Sequence, residues 1–169
     1  MKKLSARNKG LLTGLVIVIL SAVVYLTTGN FDNSILLAAY IIYAAGINCS
    51  LYSFYRSEQE HKTFKNYFQE GFKCYIVVTF IMVIVTFLFL KFNVSLQHEM
   101  IEFQRQQLRL NANYSEPDIE EKLATYKKFI LPGYTMSTIL SYLGVGTLVT
   151  VITSFFLGNL KQQVIVTKK

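Results

Sequence analysis

His98-Glu99-Met100-Ile101-Glu102 is the stretch that comes nearest to a catalytic motif. A zinc-protease helix carries His at both ends of that spacing, so that two imidazoles face one ion. Here Glu102 takes the second place, and a solvated helix face is the simpler reading. The other histidine, His61, is expected on the opposite side of a membrane, so the pair cannot share a metal or relay a proton. Cys49 falls inside one apolar run and Cys74 at the mouth of another. Both read as small apolar fillers or free thiols rather than a disulfide. No phosphate loop, nucleophile elbow or dinucleotide fingerprint is present. The sequence therefore points to no cofactor, no metal and no enzymatic role. Asn48 is the one amide deep in an apolar run; it suits a hydrogen bond to Ser, Thr or Tyr across a helix interface, or the lining of a small polar cavity.

The elements that would position these residues are apolar helices. The chain has 169 residues, the length of one domain, with 52% hydrophobic and only 16% charged residues. Soluble chains carry about a quarter charged residues. No charge falls in 11–30, 33–55, 74–90 or 130–160. A bilayer core about 30 Å thick needs roughly 20 apolar residues in a helix. Four spans meet or approach that: about 10–28, 35–55, 74–92 and 134–157. The runs 15–20 and 76–90 have no charged face, which argues against a soluble bundle. A cleaved signal peptide is the alternative for the first span, but no small-x-small site follows it. The expected fold is all-α: a polytopic membrane protein with four transmembrane helices in an up-down bundle and a helical hairpin outside the membrane between spans three and four.

Lys and Arg set the orientation, because they resist translocation. The N-terminal stretch, the loop 56–73 and the C-terminal tail share one face, with eleven basic and three acidic residues. The other face holds six and seven. The whole positive excess behind the net charge of +7 therefore lies on one face, expected to be cytoplasmic, with both termini there and the chain in the inner membrane. The pI of 9.4 needs no nucleic acid to explain it; the same charges suit an anionic leaflet. Tyr25 and Tyr134 on the outside, and Tyr52, Phe54, Tyr55 and Tyr75 on the inside, fit an interfacial aromatic belt.

Before the third span, Phe64, Tyr67, Phe68 and Phe72 fall on one face of a helix. The spacing predicts an interfacial helix over 62–73, turning at Gly71 into the span, with Lys73 snorkelling from the boundary. Anchoring the chain is its simplest use; contact with a partner or a headgroup is the other. This Phe-x-x-Tyr-Phe-x-x-Gly-Phe-Lys stretch resembles the Bacteroidota membrane family known as domain of unknown function 4199. A basic start before an early Gly-containing span, a long polar segment between spans three and four, and a small-residue-rich last span with a Lys tail are similar too. The resemblance implies bacterial inner-membrane placement and brings no activity with it.

The segment 93–133 is too long for a simple turn. Leu96, Met100, Phe103 and Leu110, with Ile101 and Leu108 beside them, predict one amphipathic helix. Asn111–Ser115 breaks it. A second helix starts at Ser115 as N-cap, with Pro117 in the first turn and Asp118 three residues on. Ile119, Leu123, Tyr126 and Ile130 form its apolar face, and Pro132-Gly133 is expected to end it. Mutual packing of the two apolar faces is the default.

Small residues let membrane helices approach closely. Gly10 and Gly14 open span one, and Gly46 and Ser50 lie four apart in span two. Gly146, Thr150, Ser154 and Gly158 form the longest stripe, extended by Ser137 and Ser141. It suits packing within the bundle or a homodimer. Span four is thus expected at the centre, and the bulky span three facing lipid. No carboxylate, His or basic group lies within a span, which argues against an ion-coupled carrier. The expected function is a non-catalytic scaffold or accessory subunit in the lipid bilayer, with a protein partner or self-association through membrane helices. The alternative is a small transporter or oligomeric pore.

Overall fold

The computed structural model describes residues 5–28, 33–57, 63–110 and 114–167, with side chains described over 5–28, 36–57, 63–110 and 114–159. His61, Lys62 and Asn111–Asn113 lie outside the described residues, as do Lys2, Lys3, Asp32, Lys168 and Lys169, which enter the charge counts above, and the side chain of Lys161. The described residues form five helices and no strand: α1 (Ala6–Thr28), α2 (Asn33–Tyr55), α3 (Phe64–Phe92), α4 (Val94–Arg109) and α5 (Glu116–Thr167).

Helices α1, α2, α3 and α5 are each long and apolar enough to cross a membrane. Their outward surfaces make the same point more strongly. Leu26, Ile41, Phe80, Leu148 and Phe156 are all well exposed, one or more on every one of these helices. Water-soluble surfaces do not carry contiguous apolar area on that scale, whereas hydrocarbon solvates it at no cost.

Two expected breaks are absent. α3 runs unbroken from Phe64 to Phe92, so no separate interfacial helix turns at Gly71 into the span. Gly71 keeps helical geometry and serves close approach instead: a Cβ there would strike the Thr150 side chain. α5 likewise runs through Pro132-Gly133 for 52 residues. Proline removes one helical hydrogen bond, a loss that neighbouring groups make good in membrane helices.

The chain forms two compact units, Met1–Met82 with Ile139–Lys169 and Val83–Thr138. Two separate apolar clusters account for this. The first unit is built on Ile17, Tyr43, Ile47, Leu51, Tyr67, Cys74, Tyr75 and Val78, with Tyr142. α1 buries Ala6, Gly10, Gly14 and Ile17, one stripe at helical spacing. A Cβ at Gly10 would meet the Cys74 carbonyl and Val77, and one at Gly14 would meet Ile81. A Cβ at Gly46 would collide with Thr13.

α3 supplies what Gly10 and Gly14 receive, whereas Gly46 receives Thr13 of α1. The apolar stretch of α3 is buried to much the same extent as that of α5, so burial does not set the third span apart as the more outward-facing. The reason is reciprocal: small residues make grooves, and grooves need large side chains to fill them.

In the second unit, Ile101 of α4 packs with Ile119, Leu123 and Ile130 of α5, flanked by Met100, Leu108, Tyr114 and Tyr126. Asn93 joins α3 to α4: its side chain accepts from the Leu96 N–H at 3.1 Å, capping the new helix. Gln97 donates to the Leu90 carbonyl at 2.7 Å, which satisfies a group freed at the end of α3. Phe103 and Leu110 do not join the cluster. They are 62% and 80% exposed, on a second side of α4 that heptad spacing shares with Leu96.

Candidate functional site

The stripe Gly146, Thr150, Ser154 and Gly158 is buried along its whole length. It meets the opening turns of α3. A Cβ at Gly146 would collide with the Tyr43 hydroxyl and the Tyr75 ring, and Gly158 lies against the Phe64 backbone. With Thr150 over Gly71, these pairings run antiparallel and set Ser154 at the level of Tyr67. Tyr67 is fully buried, edge-on to Phe54 with ring centroids 5.5 Å apart. Phe64, Phe68 and Phe72 stack along the exposed or half-exposed side of the same helix. Lys73 pairs with Glu70 at 3.2 Å on an exposed surface. The sequence motif thus divides into Tyr67 and Gly71 facing inward and a phenylalanine ladder facing outward.

Polar contacts inside the first unit come mostly from tyrosines. The Tyr43 hydroxyl donates to the Tyr142 carbonyl at 2.9 Å, and the two rings meet edge to face at 5.2 Å. Thr147 donates to the Tyr75 hydroxyl at 3.3 Å. Tyr75 is therefore an interhelical residue, buried rather than part of an interfacial belt. Thr153 donates to the Asn48 Oδ1 at 2.7 Å, joining α5 to α2, yet Asn48 itself is exposed.

Three hydroxyls are buried with no hydrogen-bond partner among the described residues, Tyr67, Thr150 and Ser154, and a fourth buried hydroxyl, Ser50, lies beside the Cys74 thiol. Cys74 lies against the Gly46 carbonyl and Phe54 against Tyr67, so Ser50, midway between Gly46 and Phe54, falls at the level of Gly71. The four hydroxyls therefore lie at two adjacent levels about one turn apart, Ser50 and Thr150 beside Gly71 and Ser154 beside Tyr67, contributed by three helices. A buried hydroxyl without a partner costs about 1–3 kcal/mol, so the layer is polar at the expense of stability.

The second unit holds the charged residues. Arg105 pairs with Glu120 and, at 3.5 Å, with Glu102; Arg109 pairs with Glu116 at 3.2 Å. The carboxylates around Arg105, Glu120 first, raise the guanidinium above its ordinary value. Asp118 accepts from the Ser115 hydroxyl at 2.5 Å and from its N–H at 3.0 Å. These bonds hold its carboxyl below the usual range. They form the reciprocal half of a capping box, with Ser115 as donor rather than acceptor. Lys122 sits over the Tyr114 ring at 4.4 Å. His98 and Glu99 are exposed, and Glu102 is engaged by Arg105. Among the described residues no three of His, Cys, Asp and Glu stand close enough to hold a metal. Both cysteines are free, Cys49 exposed and Cys74 buried.

Sequence reasoning missed Tyr43, Tyr142 and Thr153. Their signal was available: a tyrosine in the middle of an apolar run buries a hydroxyl that must find an acceptor. A search of curated proteins and a search of solved structures each returned no match to this chain. The family model described as "Protein of unknown function (DUF4199)" matches residues 8–159. That match takes in all four apolar helices and the Phe64–Lys73 stretch, and the chain belongs to this family.

Proposed function

We propose that the chain is a non-catalytic scaffold or accessory subunit of the bacterial inner membrane. Its four spans form an up-down bundle with both termini cytoplasmic, and α4 with the first turns of α5 forms a helical hairpin on the outer side. Sidedness rests on the Lys and Arg asymmetry. Reporter fusions at Asn30, Gln59, Asn113 and Lys169 should read outside, inside, outside, inside; any other order overturns it.

One observation carries the interaction role. α4 has a second apolar side on which its own packing with α5 leaves Phe103 and Leu110 uncovered, with Leu96 half-buried beside them. The other surfaces suited to a partner, the α5 stripe and the inward side of the α3 opening, are filled by the chain's own helices. A photo-cross-linking residue at Phe103 in native membranes should give one discrete protein adduct, lost on Leu110→Glu. Adducts to lipid alone, or a smear unaffected by Leu110→Glu, would remove this role.

The buried hydroxyls, three of them unpartnered among the described residues, favour a second reading, a small transporter or oligomeric pore whose path they line. Solute flux in liposomes, abolished by Thr150→Val with Ser154→Ala, would support it. Flux indistinguishable from empty liposomes would dismiss it.

A further inference from the structure

Asn48 presents an exposed carboxamide on α2, about two turns inside the end of the helix at Tyr55, and on the reading that α2 spans the membrane that side faces lipid. Thr153 engages only its Oδ1. The Nδ2 has two hydrogens and no acceptor among the described residues. Were the amide turned over, Nδ2 would serve Thr153 and Oδ1 would be left without a donor. Either way half of the group is unsatisfied at a depth where lipid offers nothing in return.

We infer that Asn48 pairs with Asn48 of a second copy of this chain, in a dimer centred on α2. Copies inserted in one orientation hold Asn48 at the same depth. A two-fold axis along the membrane normal therefore brings the two amides together without any adjustment of register. A carboxamide is self-complementary, since each copy offers both a donor and an acceptor. The surrounding face admits the approach. Ile41, Ala45, Asn48 and Tyr52 are all exposed at spacings of four, three and four, one side of the helix. Ala45 puts a small residue one turn from the amide, where two helices can close. This surface is separate from the α5 stripe, which is buried within one chain. It is also separate from the exposed side of α4 invoked for a partner, so either can fail alone.

The test uses the full chain in its native membranes. Ala45→Cys is made in a background of Cys49→Ser and Cys74→Ser, and the membranes are oxidised with copper phenanthroline. The expected product is a disulfide-linked homodimer. Asn48→Leu in that background should lower the yield about tenfold, as loss of an interhelical amide pair in a membrane implies, and Asn48→Gln should retain most of it. Leu148→Cys, on an exposed position of α5, is the collision control. Equal yields from residues 45 and 148, equal yields with Asn or Leu at 48, or an adduct of another mass would each overturn the dimer. Energy transfer between labelled chains gives a second reading: it should survive lipid dilution in the native sequence and fall in Asn48→Leu, and a fall in both is against the proposal.

Discussion

Thr150 stands over Gly71, with its side chain in the space that a Cβ at Gly71 would need. Threonine is stiff at χ1, so it cannot swing aside cheaply. Alanine at position 71 gains about 1 kcal/mol of helix propensity, but overpacking a tight contact costs about 1–3 kcal/mol. The clash should win, and Gly71→Ala should lower stability by about 1 kcal/mol, read from thermal unfolding in detergent. Thr150→Ala removes the obstructing atoms. The double variant should then be more stable than the two single losses add up to, with a coupling of about 1–2 kcal/mol. Additive losses would show that the helices do not meet there.

Tyr43 and Tyr67 offer a controlled contrast, since both are fully buried. Tyr43 donates to the Tyr142 carbonyl, whereas the Tyr67 hydroxyl has no partner among the described residues. Tyr43→Phe should cost about 1 kcal/mol of stability. Tyr67→Phe removes only an unsatisfied group and should be neutral or stabilising. Equal losses from both would mean that Tyr67 is hydrogen-bonded through bound water, which is what the pore reading requires.

Much of this first unit was legible because lipid leaves few choices. A charge-free run of about 20 residues has to become a helix, and small residues four apart have to face something. What faced them was not legible. Spacing identifies Gly71, Gly146 and Gly158 as small, but hydropathy does not tell a glycine that ends a helix from one that admits a neighbour. The same ambiguity hid the continuity through Pro132-Gly133. An amide in an apolar run needs a partner, and Asn48 bonds Thr153, but its exposure depends on helix rotation, which a run apolar on every side does not encode. In the second unit, Ile119, Leu123, Tyr126 and Ile130 were readable because polar residues frame one stripe. Phe103 and Leu110 were assigned inward because α4 has two apolar sides and periodicity does not rank them.

Asp118 makes the start of α5 sensitive to acid. Its folded pKa is held below the ordinary value by the Ser115 donors. The stabilisation is therefore complete above the ordinary aspartate range of about 4, and is lost as pH falls through the depressed value. Amide protection over Glu116–Leu123 should fall in acid while that of the Tyr43–Tyr142 core holds. Asp118→Asn should fray the same turn already at pH 7 and flatten the acid response. An unchanged acid response in Asp118→Asn would assign it to another carboxylate.

The joining of α4 to α5 rests on apolar packing and not on its ion pairs. The Arg109 and Glu116 side chains are both more than half exposed, where such pairs contribute about 0–1 kcal/mol. Leu123 is almost wholly buried in the Ile101 cluster, and truncating a buried leucine costs about 2–5 kcal/mol. Leu123→Ala should therefore open α4 far more readily than Arg109→Ala, as seen in amide exchange over Val94–Arg109. Salt separates the two contributions further. At 1 M the screening length is about 3 Å, which removes most of what exposed pairs supply and leaves apolar burial intact. α4 should stay protected in 1 M salt in the native sequence. If salt alone released it, the charges of Arg105 and Arg109 would be holding the helix, and Ile101 would be a bystander.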